Sequence, residues 1–302
     1  MGFMAGSVAC TRFNVVATPT EIDFDRYAFS PILKGTYTKE SVGFIPFEPG
    51  EPYEVGQGRY AFRLRIDKIQ IDSTQLKERL RELIKTETEL SGPPGKKKMR
   101  DLKDLAEEEL LMVATPRTKI IECYLDQYIL FVATTSKGQL GTVCSYLKRL
   151  GVEVEYKTPW LDHQLEKDPP EWMELKDPAQ SILGCEFIEG ITHDEEIYLE
   201  GVKGSVKLAT PEGAVVSLRG VVGQELERLL GAGAHVISAK LQIGETPLSF
   251  DGSSFRIGTM KLRGFKADHW TMRLESRMEQ IQATFDFLEE KFQKKVTAPS
   301  PS

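Results

Sequence analysis

The sequence predicts an α+β protein made of antiparallel sheets, with a helical hairpin protruding as a finger. Three observations carry this. Short stretches such as Arg59–Ile71 alternate apolar and polar residues, the period of a half-buried strand. Two stretches with apolar residues at helical spacing flank Gly92-Pro93-Pro94-Gly95, which no helix can run through. Asp126-Gln127 and Asp251-Gly252 each separate two strand-like runs and read as hairpin turns.

Taken in order, Thr11–Ala17 reads as a first strand and Thr20–Leu33 as holding a short helix. Val42–Tyr53, rich in Pro and aromatics, reads as a loop packed on the core. In Arg59–Ile71 the apolar side is Tyr60, Phe62, Leu64 and Ile66, with Arg59, Arg63, Arg65 and Asp67 among the polar positions. Asp72 is placed to cap a helix, with Gln75 placed to cap back. Leu76, Leu80, Leu83, Ile84 and Leu90 then repeat at helical spacing, as do Leu102, Leu105, Ala106, Leu110 and Val113 beyond the turn. The two apolar stripes bury each other most simply as an αα-hairpin. Thr118–Tyr124 and Tyr128–Thr134 form the next hairpin, Lys137–Leu150 a helix stopped by Gly151, and Val152–Tyr156 a strand.

Asp162–Pro178 is acidic and Pro-rich and reads as a connection between domains. The expected domains are 11–160, with the finger inserted at 73–114, and 179–295. In the second, Ser205–Ala209, Ala214–Leu218, His235–Ile243 and Leu248–Leu262 carry β patterns, and Gly223–Leu230 a short helix. Leu274, Met278, Ile281, Phe285, Leu288 and Phe292 mark a last helix whose spacing suits a coiled-coil seam or a helix lying on its own sheet. Val296–Ser302 is expected to be disordered.

Composition narrows the function classes. The 302 residues are 40% hydrophobic and 28% charged, which supplies a sizeable core. Cys10, Cys123, Cys144 and Cys185 lie far apart, which argues against a disulfide framework or structural zinc and for a reducing compartment. No apolar run has the ~20 residues of a membrane span. The first ten residues lack the regions of a signal peptide, so the cytoplasm is expected.

Net charge is −6, but the charge is unevenly spread. Trp160–Glu200 holds two Lys/Arg against twelve Asp/Glu. Arg59–Lys119 holds fifteen against eleven, and Gly201–Lys266 nine against five. Such segregation can focus a positive field on one surface. Its densest point is the finger's end, where Lys96, Lys97, Lys98 and Arg100 follow the Gly/Pro turn. A basic tip on an acidic body suggests a polyanion, or else a solvated loop.

Catalytic patterns are sparse. There is no phosphate-binding loop, Gly-x-Gly-x-x-Gly or Gly-x-Ser-x-Gly. His163, His193, His235 and His269 lack metal-binding spacing. Glu155-Tyr156-Lys157 on a strand, with Asp126 upstream, could supply the acid-x-Lys of a metal-dependent nuclease if both carboxylates met on one ion. Tyr60 and Phe62 lie between arginines but on the opposite side of the alternation, so they read as core rather than as a base-stacking platform.

In order and spacing the chain resembles the bacterial recombination-associated RdgC family from about Thr11 to Phe292. The resemblance rests on Gly43-Phe44-Ile45-Pro46, the strand ending Arg65-Ile66-Asp67, and the charged finger from Thr74 to Val113. It continues through Tyr124-Leu125-Asp126, Phe131–Lys137 and Leu147–Gly151. In the second half it rests on Val216–Gly220, Leu230–Gly233, Ala239–Leu241, Ser249-Phe250 and Met260–Phe265.

The resemblance implies a non-enzymatic protein that binds double-stranded DNA with little sequence preference and needs no cofactor or metal. It implies a homodimer closed into a ring with a positively charged hole, associated with the nucleoid and restraining RecA-driven strand exchange. Two departures stand out. Members carry an aromatic near the finger's end that helps close the ring, and Met112–Arg117 has none. Near Arg219, where members carry neighbouring polar and basic DNA-contacting residues, only the arginine is kept. The expected DNA-binding residues are Lys96, Lys97, Lys98, Arg100, Arg117, Lys119 and Arg219. The alternatives are the metal-dependent nuclease and a scaffold whose basic finger grips an acidic partner protein.

Overall fold

The computed structural model describes residues 2–33, 35–174, 177–191, 194–199, 205–220, 223–264 and 266–297. The tail expected to be disordered lies outside them from residue 298, as do His193 and Phe265. The protein is α+β. The chain runs β1 (Ser7–Ala17), β2 (Glu40–Pro46), β3 (Glu54–Gly56), β4 (Arg59–Lys68), α1 (Ser73–Ser91), α2 (Lys96–Val113), β5 (Arg117–Leu125), β6 (Ile129–Val132), α3 (Lys137–Arg149) and β7 (Glu153–Tyr156). It continues α4 (Pro159–Asp162), α5 (Ile182–Ile191), β8 (Ile197–Leu199), β9 (Ser205–Ala209), β10 (Val215–Arg219), α6 (Gly223–Gly231), β11 (His235–Ile243), β12 (Thr246–Asp251), β13 (Arg256–Lys261) and α7 (Trp270–Thr297).

Two compact units form. One comprises Met1–Ile22, Pro52–Ala61 and Ile121–Ser302, the other Asp23–Glu51 and Phe62–Ile120. The fold therefore does not divide at the expected limits of 11–160 and 179–295. The reason is β1. Its start pairs antiparallel with β13, Ser7 opposite Lys261 and Val8 opposite Met260. Its middle pairs with β6, from Thr11 opposite Val132 to Asn14 opposite Ile129. Its end pairs with β7. One strand thus satisfies the backbone groups of both expected domains, and they become a single large antiparallel sheet.

Within that first unit α7 buries Leu274, Met278, Ile281, Phe285, Leu288 and Phe292. The seam turns inward, onto its own unit's core. Phe255 is the centre of the aromatic cluster, with ring centroids 5.1–6.4 Å from those of Trp160, Phe187, Phe250, Phe285 and Phe292. Arg12 is buried there too, stacked 3.8 Å over Phe285 and ion-paired with Glu289. The hairpin expected at Asp251-Gly252 forms, but the left-handed residue of its loop is Phe255 (φ 52°). Gly252 is needed for space: a Cβ on it would lie 2.6 Å from the Gly184 carbonyl oxygen.

One expectation fails locally, and another is met only by a shorter, tighter helix. Val42–Tyr53 is not all loop, because Glu40–Pro46 pairs along β4 from Glu40 opposite Lys68 to Pro46 opposite Phe62. Proline sits at the last position of β2, the end of the ladder. Gly43 lets the chain cross closely, since a Cβ there would lie 2.4 Å from Phe29 Cα. Thr20–Leu33 yields only one 3₁₀ turn, Phe24–Tyr27, capped by Asp23.

Phe24, Phe44 and Phe62 form the aromatic core of the second unit. There Asp72 caps α1, accepting the N–H groups of Thr74 (2.8 Å) and Gln75 (3.2 Å). Gln75 takes part through its backbone rather than its side chain. α1 and α2 pack on each other, with Leu102, Ala106 and Leu111 buried and Leu76, Leu80, Leu83 and Ile84 half-buried. Leu90 and Val113, expected in the buried stripes, are each 78% exposed. They stand at the helix ends, beyond the last turn that meets the other helix.

Candidate nucleic-acid interface

Lys96, Lys97, Lys98 and Arg100 are not in the turn itself. They open α2, with Gly95 at the N-cap and no side-chain cap bond. The first N–H groups of a helix carry the positive end of its dipole, where cations are disfavoured. Lys98 reaches Glu87 of α1 at 3.3 Å. Lys96, Lys97 and Arg100 are exposed and form no ion pair among the described residues. Like charges are thus gathered where the helix itself repels them.

Arg117 and Lys119 form a second group, exposed on β5. As i and i+2 of a strand they share one side. Arg117 Nη1 donates to Gln70 Oε1 (3.2 Å). Between them Thr118 Oγ1 donates to Asp67 (2.8 Å). Asp67 is buried and accepts two bonds from Arg65, 2.9 Å from Nε and 2.8 Å from Nη2. Asp67 can therefore be buried on the side of β4 opposite Phe62 and Leu64, because Arg65 and Thr118 satisfy it there.

Those bonds have a consequence for stability. Hydrogen bonding by Arg65, helped by Thr118 and opposed by burial, holds the Asp67 carboxyl below its usual range. A carboxyl with a lowered folded pKa stabilises above its unfolded value of about 3.9 and stops doing so as pH falls through the folded value. Asp67→Asn is expected to cost about 1–3 kcal/mol at pH 7. In urea melts that gap should close as pH falls from about 5 towards 2. A gap that stays constant with pH would show that the ionised carboxylate contributes nothing.

Helix geometry separates the two groups. The rest of α2, from Arg100 to Val113, stands between them, about 20 Å of helix at 1.5 Å per residue. Arg219 belongs to the other unit, exposed at the end of β10 opposite Ser205. Sequence reading passed over Lys77, Arg81 and Lys85, three exposed cations of α1. Their i, i+4, i+8 spacing was the available signal.

The acid-x-Lys residues have other partners. Asp126 Oδ1 accepts the N–H groups of Tyr128 (2.7 Å) and Ile129 (2.6 Å) and so builds the β5–β6 turn. Lys157 Nζ is held by Asp162 (2.5 Å) and Glu289 (4.0 Å). Glu155 is exposed on β7, opposite Asn14. Among the described residues no group of three or more His, Cys, Asp or Glu could hold a metal ion. His235 pairs with Glu189 (3.0 Å) and His269 with Thr271 (2.7 Å). Of the two rings expected to be core, Phe62 is fully buried and Tyr60 half-buried. Burial pushes the Cys10 thiol up to about 12 and the Cys144 thiol to about 11, which leaves both inert as nucleophiles at neutral pH. Among the described residues no helix is long and apolar enough to cross a membrane.

Compared with known proteins, the chain matches no family model and no curated protein.

Proposed function

We propose that this protein is a non-enzymatic, sequence-independent binder of duplex DNA, with the α1–α2 pair as its protruding finger. The observation that carries the reading is the run Lys96-Lys97-Lys98 in the first turn of α2. Dipole and like-charge repulsion both oppose that placement in the free protein. A polyanion offsets both, because each neutralised phosphate releases counterions. Arg117, Lys119 and Arg219 are exposed and suited to phosphate contacts of the same kind. The protein needs no cofactor or metal for this. The resemblance to the RdgC family extends the proposal to a homodimeric ring in the nucleoid that restrains RecA-driven recombination. Two copies related by a two-fold axis would double a modest set of phosphate contacts and could face both strands of one duplex.

The test uses duplexes of unrelated sequence, with and without Mg²⁺ or Mn²⁺. Equal affinities and intact DNA are expected, together with a dimer mass by light scattering. Dissociation from circular DNA should be slower than from a short linear duplex. Cleavage lost in Glu155→Gln would assign the protein to the nucleases instead. Binding to no duplex at all would leave the scaffold reading. A monomeric mass would remove the dimer, and equal dissociation rates would remove the ring.

A further inference from the structure

The cations of α1 and α2 are arranged by side. Residues follow one another by about 100° around a helix. On α1 the packed stripe runs through Leu76, Leu80, Leu83, Ile84 and Glu87. From its centre Lys77, Arg81 and Lys85 lie about 80–160° round in one rotational sense. Glu82 and Glu89 lie on the other flank, with Glu78 pointing directly outward. On α2 the stripe runs through Met99, Leu102, Ala106 and Leu110. Lys103, Lys96 and Arg100 lie about 55–115° round in the same sense. Asp104 follows at about 155°, a carboxylate at the outer edge of the cation side, while Asp101 and Glu108 lie on the other flank.

A four-residue turn joins the helices, so they run antiparallel. In an antiparallel pair, equal turns in the same sense from the mutual contact lead to the same side. Lys77, Arg81, Lys85, Lys96, Arg100 and Lys103 therefore share one side. The cross-helix ion pairs agree with this. Arg79–Glu109 (2.7 Å) and Lys98–Glu87 (3.3 Å) are made by residues on or towards the opposite flank. Those two pairs also set the level of one helix against the other. Lys85 stands beside Lys103, Lys96 is nearest the tip and Lys77 nearest the base. The six cations then span about 20 Å at 1.5 Å per residue. Glu107 shares their side and lies 3.9 Å from Lys103 and 3.8 Å from Lys39, another cation.

We infer that this side is a track for the phosphate backbone of duplex DNA, with α1 and α2 contributing equally. The inference rests on the DNA-binding reading above and names its surface. About 20 Å of duplex axis carries some six phosphates on each strand. Cations at i, i+4 and i+8 repel one another, a cost that phosphate contacts reverse. Neither helix contains an aromatic residue, so the surface lacks the platforms on which single strands stack. The track also lacks the exposed apolar and aromatic anchors of a protein–protein interface core.

The experiment measures anisotropy of a labelled 30-base-pair random duplex across a KCl series. It compares the wild type, Lys77→Gln/Arg81→Gln/Lys85→Gln, and that variant with Glu89→Gln/Asp101→Asn/Glu108→Gln added. The second set restores net charge away from the track. All the altered positions are exposed, and circular dichroism confirms helix content. The first variant should lose about 2.7 from the slope of log affinity against log salt, 0.9 per contact. The second should not recover it. An unchanged slope in the first variant, with wild type binding, overturns the track and leaves the DNA reading standing. Recovery in the second overturns it in favour of net charge. Tighter binding of single strands, or of polyglutamate, overturns it in favour of those partners. A wild type that binds no duplex ends the DNA reading and the track with it.

Discussion

Lys96→Glu/Lys97→Glu/Lys98→Glu should weaken duplex binding about 500-fold at 0.1 M salt. The figure follows from three phosphate contacts, each worth about 0.9 decade per tenfold dilution of salt from 1 M. The loss should be the same for every duplex sequence, because phosphates carry no sequence information. The variant also separates binding from folding. Glutamates in the first turn of α2 suit the helix dipole better than lysines do, so α2 should form at least as well. Of the three, only Lys98 has an ion-pair partner among the described residues, Glu87. Lys96→Glu/Lys97→Glu therefore provides a control that leaves that pair intact, with a loss of about 60-fold expected. Unchanged affinity at low salt would remove the tip from the binding surface.

Phe255→Ala should cost about 3–5 kcal/mol of stability, read from urea melts. Phe255 is 1% exposed and meets five other aromatic rings. Its removal empties the centre of the cluster that joins α7, α5 and the β12–β13 loop. A second variant tests the backbone. Phe255 sits at φ 52°, where residues with a Cβ are penalised by about 1–2 kcal/mol and glycine is not. Phe255→Gly should therefore be more stable than Phe255→Ala, although it is the smaller side chain. A cost below about 1 kcal/mol for the alanine variant would mean that the cavity collapses or that the cluster is not core. An alanine variant more stable than the glycine one would contradict the strained backbone.

Much of the secondary structure was legible because its residues alternate between core and water. β9, β11 and α7 each leave one side more open than the other, and a periodic sequence records which. α5 left no such record. Ile182, Cys185, Phe187, Ile188 and Ile191 are buried around much of its circumference, so no period marks it. β2 was hidden by Gly43 and Pro46, residues that usually break strands. Here one allows a close crossing and the other ends the ladder.

The candidate site divides in the same way. Residue types and spacing alone determined that the chain is α+β, that two helices meet at a Gly/Pro turn, and that four cations cluster there. Those are local properties, fixed by propensity, periodicity and the positions of glycine and proline. Tertiary structure decided that β1 joins both expected domains, because a strand's pairing partners lie far away in the chain. It also decided that Asp126 is committed to backbone N–H groups, and that the cations of α1 stand on the same side as those of α2. That last point depends on which way two helices run against each other, which no single helix's sequence contains.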